Sequence, residues 1–427
     1  FLNLNIVKLK KLYKLLEDIW NYRAMLTQEI NELLCRVGPG TMMGNYLRRF
    51  WFPALMSEEL PEPDCPPIRV RLLGEDLIAF RDTNGEVGII DNYCPHRRAS
   101  LFFGRNEECG LRCVYHGWKF DVRGDCIDMP SEPAESNFKD KVKVTAYPTT
   151  EQSNFVWVYM GPAEKMPQMP DFEWMHLPEE HRGFAKFIYE SNFVQAVEGE
   201  IDTVHASFLH SNLDAQSKAP TATTAGGRFM YNERWANFFV REKDYGLLIG
   251  ARRPAEHDSY YWRITQWMFP FYTMTPREPG VGENSFVRCR MWVPRDDDST
   301  WVFLSHWHPL RPMRDSELFE VKSCRNLEPG KWIGKANLGN DYLIDRTMQK
   351  TETYAGLPRG TGRVEDAAMI ETMGSIVDRR YEHLGTSDTA IIAMRRQLLN
   401  AARNLEEGVE PLSAFNPKHY WRRSSSA

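Results

Sequence analysis

The chain has 427 residues, 42% of them apolar and 26% charged, with 13 Trp, 23 Phe and 17 Tyr, a composition that leaves room for two globular domains and a large apolar core or pocket. Its net charge of −5 is a mixture of both signs, which argues against nucleic acid as the main partner but not against a small anion held by local arginines. No apolar run of about 18 residues occurs, so no membrane partner is expected, and the eight cysteines form no small-domain disulfide framework, which points to a reducing, cytoplasmic setting.

Residues 1–24 carry Leu9, Leu12, Leu15, Leu16 and Ile19 at helical spacing, with Lys8, Lys10, Lys11 and Lys14 between them. That is the pattern of a basic amphipathic helix. Met25 opens a sensible protein start, however, and 1–24 read as an extension of uncertain origin. Residues 27–35 read as a short helix stopped by Gly38-Pro39-Gly40. From 45 to 150, short β-rich runs alternate with turn signals such as Asn84-Gly85 and Arg123-Gly124, which predicts a small antiparallel β domain. A further strand is expected at 155–160, and the Pro- and Met-rich stretch 163–189 reads as a crossover. A helix is predicted over 192–206. Strand-like runs fill 226–310, beginning with GRFMYNERWANFFVREK, and imply an antiparallel sheet of at least six strands. Helical patterns close the chain at 338–349, 364–383 and 387–408.

Two constellations carry chemistry. The first is Cys94-Pro95-His96 followed by Cys113-Val114-Tyr115-His116. Each half offers one thiolate and one imidazole on a tight turn, a donor set that suits zinc or a Rieske [2Fe–2S] cluster. The order Cys-x-His, then Cys-x2-His, favours the cluster, because a Cys2His2 zinc finger places both Cys before both His. Trp118 is expected to pack over the site.

The second is Asp202-Thr203-Val204-His205, with His210 five residues further on. Asp202 and His205 are one turn apart on the predicted helix and share its face. Two histidines and one carboxylate make a facial triad for Fe(II) with positions left open. The third ligand must come from a distant element. Asp366 is the first choice, among small apolar neighbours, with Asp345 and Asp341 as rivals.

With both motifs in view, CPHRRAS…CVYHGWKF and EGEIDTVHASFLH, the chain resembles the Rieske ring-hydroxylating oxygenases, in the branch of the phthalate 4,5-dioxygenase oxygenase components. The likeness runs from about Met25 to near the C-terminus; many members carry Glu-Asn where this chain has Glu198-Gly199. The resemblance implies an α+β fold: a 25–44 N-terminal helix segment, a 45–162 antiparallel Rieske domain, and a 163–427 helix-grip catalytic domain with a large antiparallel sheet and C-terminal helices. It implies cluster ligands Cys94, His96, Cys113 and His116, a mononuclear Fe(II) on His205, His210 and Asp366, and a bridging role for Asp202. It implies a homotrimer or stacked hexamer in which Asp202 hydrogen-bonds His116 of an adjacent copy and His205 of its own.

The chain has no dinucleotide fingerprint after a βαβ pattern. It therefore needs an NAD(P)H-dependent reductase, in this branch one with FMN and a plant-type [2Fe–2S] cluster. The implied reaction is cis-dihydroxylation of an aromatic acid with O2. O-demethylation of a methoxy aromatic acid is the alternative. Phe193, Phe208, Leu209, Trp267 and Phe269 are expected as pocket walls, and Arg228, Arg234, Arg252 and Arg263 as candidate carboxylate binders.

Overall fold

Short apolar strands punctuated by polar turns build the first third of the molecule. The structure is a computed structural model that describes residues 26–213, 220–221, 225–276, 286–324, 327–359 and 363–426. The expected 1–24 extension lies outside the described residues. Two short helices come first, α1 (Gln28–Cys35) and α2 (Met42–Leu47), each opened by a threonine whose hydroxyl accepts a first-turn N–H.

The strands follow as β1 (Trp51–Met56), β2 (Ile68–Leu72), β3 (Glu75–Arg81), β4 (Val87–Asp91), β5 (Arg105–Glu107), β6 (Gly110–Arg112), β7 (Lys119–Phe120), β8 (Cys126–Asp128), β9 (Ala146–Tyr147), β10 (Thr149–Gln152) and β11 (Phe155–Tyr159). They pair antiparallel into three sheets, β1-β11-β10, β2-β3-β4-β9 and β5-β6-β7-β8. A separate small core of Ile78, Phe80, Ile90, Leu101, Leu111 and Phe120 forms at one end of this domain.

The larger domain runs β12 (Arg182–Tyr189), α3 (Phe193–Ile201), β13 (Asn212–Leu213), β14 (Pro220–Thr221), α4 (Ala225–Asn232), β15 (Asn237–Lys243), β16 (Gly246–Pro254), β17 (Tyr260–Met268), β18 (Tyr272–Met274), β19 (Val287–Pro294) and β20 (Thr300–Trp307). Its helices continue with α5 (Asp315–Cys324), α6 (Arg346–Thr351), α7 (Arg363–Glu371) and α8 (Thr389–Glu406), and β21 (Ser425–Ser426) ends it. One antiparallel sheet has the order β12-β20-β19-β18-β17-β16-β15, with β21 beside β17. α3 lays Phe193, Val194, Ala196, Val197 and Ile201 into the core beneath that sheet. Gly199 lets α7 approach α3, since a Cβ there would stand 2.8 Å from Ile370 Cδ1. The domains are joined where the Leu73 and Gly74 N–H groups donate to the Pro294 and Arg295 carbonyls, both at 3.0 Å. Among the described residues no helix is long and apolar enough to cross a membrane.

Four local expectations are corrected. The crossover 163–189 contains β12, whose Lys186 interrupts an apolar run; that ammonium is buried against Glu59 at 2.9 Å and over the Trp301 ring. GRFMYN folds as α4, and the strand starts only at Asn237. The iron helix stops at Ile201, because Asp202 turns extended and its carboxylate accepts the Val204 N–H at 2.8 Å, closing an Asx turn. His205 sits on a separate 3₁₀ turn, His205–Ser207. The 364–383 pattern is helical only to Glu371, and Gly374 beyond it takes φ +93°.

Candidate metal centres

The two cysteine loops, between β4 and β5 and between β6 and β7, are built alike. The Cys94 N–H donates to the Ala99 carbonyl at 2.9 Å, and the Cys94 carbonyl accepts from Arg98 N–H at 2.9 Å. The Cys113 N–H donates to the Trp118 carbonyl at 2.8 Å, and the Cys113 carbonyl accepts from Gly117 N–H at 2.9 Å. The fourth residue after each cysteine is left-handed, Arg98 at φ +60° and Gly117 at φ +81°. Both thiols are thereby buried, while His96 is exposed and His116 half-buried, their ring centroids 4.3 Å apart. Trp118 stacks on His96 at 4.4 Å, as expected. Burial pushes the Cys94 thiol up to about 11, and the Cys113 sulfur beside it adds to that. Such thiols ionise when a cation replaces their protons. Two inner sulfurs beneath two outward imidazoles fit a cluster whose histidine-bound iron faces the surface.

The second centre gathers three elements. His205 and His210 come from the 3₁₀ turn after α3 and the stretch that follows it, and Asp366 from the first turn of α7. Asp366 Oδ1 lies 3.0 Å from His210 Nε2 and 3.5 Å from His205 Nε2, and the three donor atoms fall within 4.8 Å of one another. Donors about 2.1 Å from one ion and at right angles stand about 3 Å apart, so these residues fit a facial triad. Asp345 is elsewhere, capping α6 by accepting the Thr347 and Met348 N–H groups. Asp341 is not in the donor group.

Each imidazole is held from behind by a carboxylate. His210 Nδ1 donates to Glu365 Oε2 at 2.9 Å, and His205 Nδ1 faces Asp202 Oδ2 at 3.6 Å. A carboxylate can only accept, so the His210 ring keeps its proton on Nδ1 and presents Nε2 to a metal, and the Asp202 carboxylate close to His205 Nδ1 favours the same arrangement there. Burial alone would depress His205, but Asp202 and Asp366 lift it to about 10. Asp366 lies far below the usual carboxylate range despite burial, because His210 and His205 face it. A divalent cation at this point displaces those protons. The sequence reading missed Glu365; its only signal is adjacency to Asp366 at the start of a helix.

A largely apolar cavity of about 830 Å³ opens on the triad, bounded by Asp202, His205, Asp366, Phe208, Leu209 and Tyr354 among others. Phe208 and Leu209 thus line it, whereas Phe193, Trp267 and Phe269 do not. Phe193 and Trp267 are fully buried in the core, and Phe269 packs on Trp267. None of the four candidate arginines lines this cavity; exposed Arg346 does. Arg234 lies over the Phe208 ring at 4.5 Å, Arg252 stacks on Tyr260 at 4.3 Å, Arg228 is exposed, and Arg263 is buried against Thr203.

Residues 50–148 match the Rieske [2Fe-2S] domain family, and residues 158–422 match the family described as LigXa C-terminal domain like. The chain is 40% identical over 389 residues to the 3-chlorobenzoate-3,4-dioxygenase oxygenase subunit of Comamonas testosteroni, covering 87% of this chain and 88% of that one. It is 39% identical over 396 residues to the phthalate 4,5-dioxygenase oxygenase subunit of Pseudomonas putida, covering 90% and 88%. The crystal structure of dicamba monooxygenase bound to dicamba shares the fold, with a TM-score of 0.58 at 19% identity over 86% of this chain and 100% of that one.

Proposed function

The chain belongs to the Rieske non-heme iron ring-hydroxylating oxygenases as an oxygenase (alpha) subunit, and from that premise we propose that it cis-dihydroxylates an aromatic carboxylate, phthalate-like or a substituted benzoate. The observation that supports this reading best is the triad of His205, His210 and Asp366 opening on an apolar cavity of about 830 Å³. A carboxylate-bearing substrate is taken from what the two similar dioxygenase subunits are named for.

The protein is an oxidoreductase with a [2Fe–2S] cluster and a mononuclear iron. When bound, the cluster supplies single electrons and the iron activates O2. In this reading the buried thiolates of Cys94 and Cys113 and the more exposed imidazoles of His96 and His116 would hold the cluster. His205, His210 and Asp366 would hold the iron, which would activate O2 beside a substrate in the adjoining cavity. Phe208 and Leu209 exclude water from the ring. The balance requires one O2, two electrons and two protons per diol. An NAD(P)H-dependent reductase, with FMN and a plant-type cluster, supplies the electrons. Asp202 orients His205 and accepts a second hydrogen bond from His116 of a neighbouring copy, which requires a trimer or stacked hexamer. Its carboxylate is a quarter exposed, which suits a contact made across subunits.

The test is turnover of the purified protein with a compatible reductase on phthalate, benzoate and methoxybenzoate acids. A dihydrodiol with both oxygens from labelled O2 is the expected product. Formaldehyde released from a methoxy acid in place of a diol overturns it in favour of O-demethylation.

A further inference from the structure

The cavity that opens on the triad extends well past the three donor residues. α7 forms one wall of it. Asp366 lines it at the triad, Met369 and Ile370 one turn further on, and Met373 in the turn that closes the helix. Seven residues of helix span roughly 10 Å. Leu338 and Tyr342, from the 3₁₀ segment Leu338–Leu343, line it as well. The Tyr342 hydroxyl donates to the Glu371 carboxylate, which fixes that segment at the far end of α7. Phe208 and Tyr354 stand at the other end. Their rings meet edge to face at 6.0 Å, and the Tyr354 N–H donates to the Ser211 carbonyl at 3.0 Å, next to His210. The cavity thus has a triad end, walled by Phe208, Leu209 and Tyr354, and an outer arm, walled by Met369, Met373, Leu338 and Tyr342.

One aromatic ring does not fill this space. A cavity of about 150 Å³ is enough to take benzene, so a one-ring acid at the triad leaves most of the 830 Å³ to water. The walls of the outer arm are poorly suited to water. Met369, Met373 and Leu338 are 44%, 53% and 50% exposed, and they gather around one opening. Exposed apolar side chains scattered singly are ordinary, but a contiguous group beside a cavity marks a ligand groove. Two of the three are thioethers, which adapt to an aromatic ring and attract it at its edge.

We propose that the outer arm binds a second aromatic ring, so that the preferred substrate is a benzoate carrying an aryl substituent. One ring lies against Phe208 and Leu209 at the triad, and the other between Met373 and Leu338. This deepens the proposed function and rests on it. The rival occupant of the apolar rim is a second copy of the chain, for which the size of the ligand would be immaterial.

Calorimetry on the iron-loaded full-length protein compares benzoate and phthalate with meta-phenylbenzoate. The wild type should bind meta-phenylbenzoate at least ~10-fold more tightly than either one-ring acid, the low end for burying an apolar group the size of a Phe side chain. Met373→Gln keeps the length of the side chain and removes the apolar wall. It should weaken meta-phenylbenzoate about 3–10-fold and benzoate less than about 2-fold. Leu338→Gln, on a different element, should do the same, and it carries the test if Met373→Gln does not fold. Circular dichroism and the cluster absorption report folding, and size-exclusion chromatography reports the oligomeric state. Equal wild-type affinity for one-ring and two-ring acids, or equal losses for both in the variants, overturn the proposal. Variants that change the oligomeric state and leave the affinity for meta-phenylbenzoate intact overturn it too, and assign the rim to a second copy. A wild type that binds none of the three acids overturns the aromatic-acid reading itself, before any variant is made.

Discussion

Replacing Glu365 by Gln is expected to loosen the mononuclear iron and leave the cluster untouched. The Glu365 side chain is 4% exposed, and its Oε2 takes the His210 Nδ1–H at 2.9 Å. Gln keeps the shape and can still accept through its amide oxygen, but without charge. A hydrogen bond to a charged group contributes ~1.5–3 kcal/mol and a neutral one ~0.5–1.5, so the change removes about 1–1.5 kcal/mol. At ~1.4 kcal/mol per tenfold, Fe(II) should bind about 10-fold more weakly, the low end of the ~10–100-fold seen for such outer partners. Ala leaves the Nδ1–H without its acceptor and should reach the upper end. The assay is competition for Fe(II) between iron-depleted protein and a chromophoric chelator, with the cluster absorption as internal control. Wild-type affinity in Glu365→Gln, or simultaneous loss of the cluster, would show that Glu365 only fills space.

Asp366→Ala should abolish mononuclear iron binding and retain the reduced-cluster EPR signal; full iron content there, with loss in Asp345→Ala, would identify the other aspartate as the ligand. Asp202→Asn should assemble both centres yet turn over at least ~100-fold more slowly, since outer-partner changes alone cost about 10–100-fold. Single-turnover reoxidation of the cluster at the wild-type rate would mean that Asp202 is not on the electron path. Glu198 is buried between Arg379 at 3.0 Å and Arg395 at 2.6 Å, which hold its carboxyl below the ordinary range despite burial. Its stabilisation is therefore fully present above the unfolded pKa of about 4.3, and is lost as pH falls through the lower folded value. Glu198→Gln should cost ~3 kcal/mol at neutral pH, because it leaves the buried Arg379 and Arg395 with Glu382 as their remaining carboxylate partner, and the gap from wild type should close on acidification. A denaturation series in which the gap stays constant or widens in acid contradicts this.

The donor residues of both candidate metal centres were legible because ligation constrains type and spacing within a few residues of chain. A cysteine and a histidine on each of two tight loops, or two histidines a turn and a half apart, cannot be scattered and still close on a metal. The antiparallel sheet was legible from long β-rich runs, but its first strand was not. Lys186 breaks the apolar pattern of β12, and only the fold supplies Glu59 and the Trp301 ring that make its burial tolerable. The link between Asp202 and His205 was read as helical periodicity; the Asx turn at Asp202 ends the helix first, and the two side chains still meet. Glu365 is 155 residues from His210, and no local pattern joins them.

The adjacent pair Arg252 and Arg253 shows where such reading reaches its limit and what extends it. The two are equally basic, and side-chain parity alone sends one to each face of the sheet. Arg252 leaves toward Phe239, Tyr260 and Trp262, where its guanidinium lies over aromatic rings and remains half-exposed. Arg253 follows Leu247, Ile249 and Ala251 inward, where among the described residues its Nη1 and Nη2 have no hydrogen-bond partner. Composition near the iron motif favours neither. Counting in twos back to Leu247 selects Arg253 as soon as the strand limits, Gly246–Pro254, are known. A buried strand that places a cation on its apolar face has done so against the desolvation of that cation. The Asp202 and Glu233 carboxylates, which favour the charged form of Arg253, offset part of that cost, so the iron helix and the sheet face that meets it are tied by charge as well as by packing.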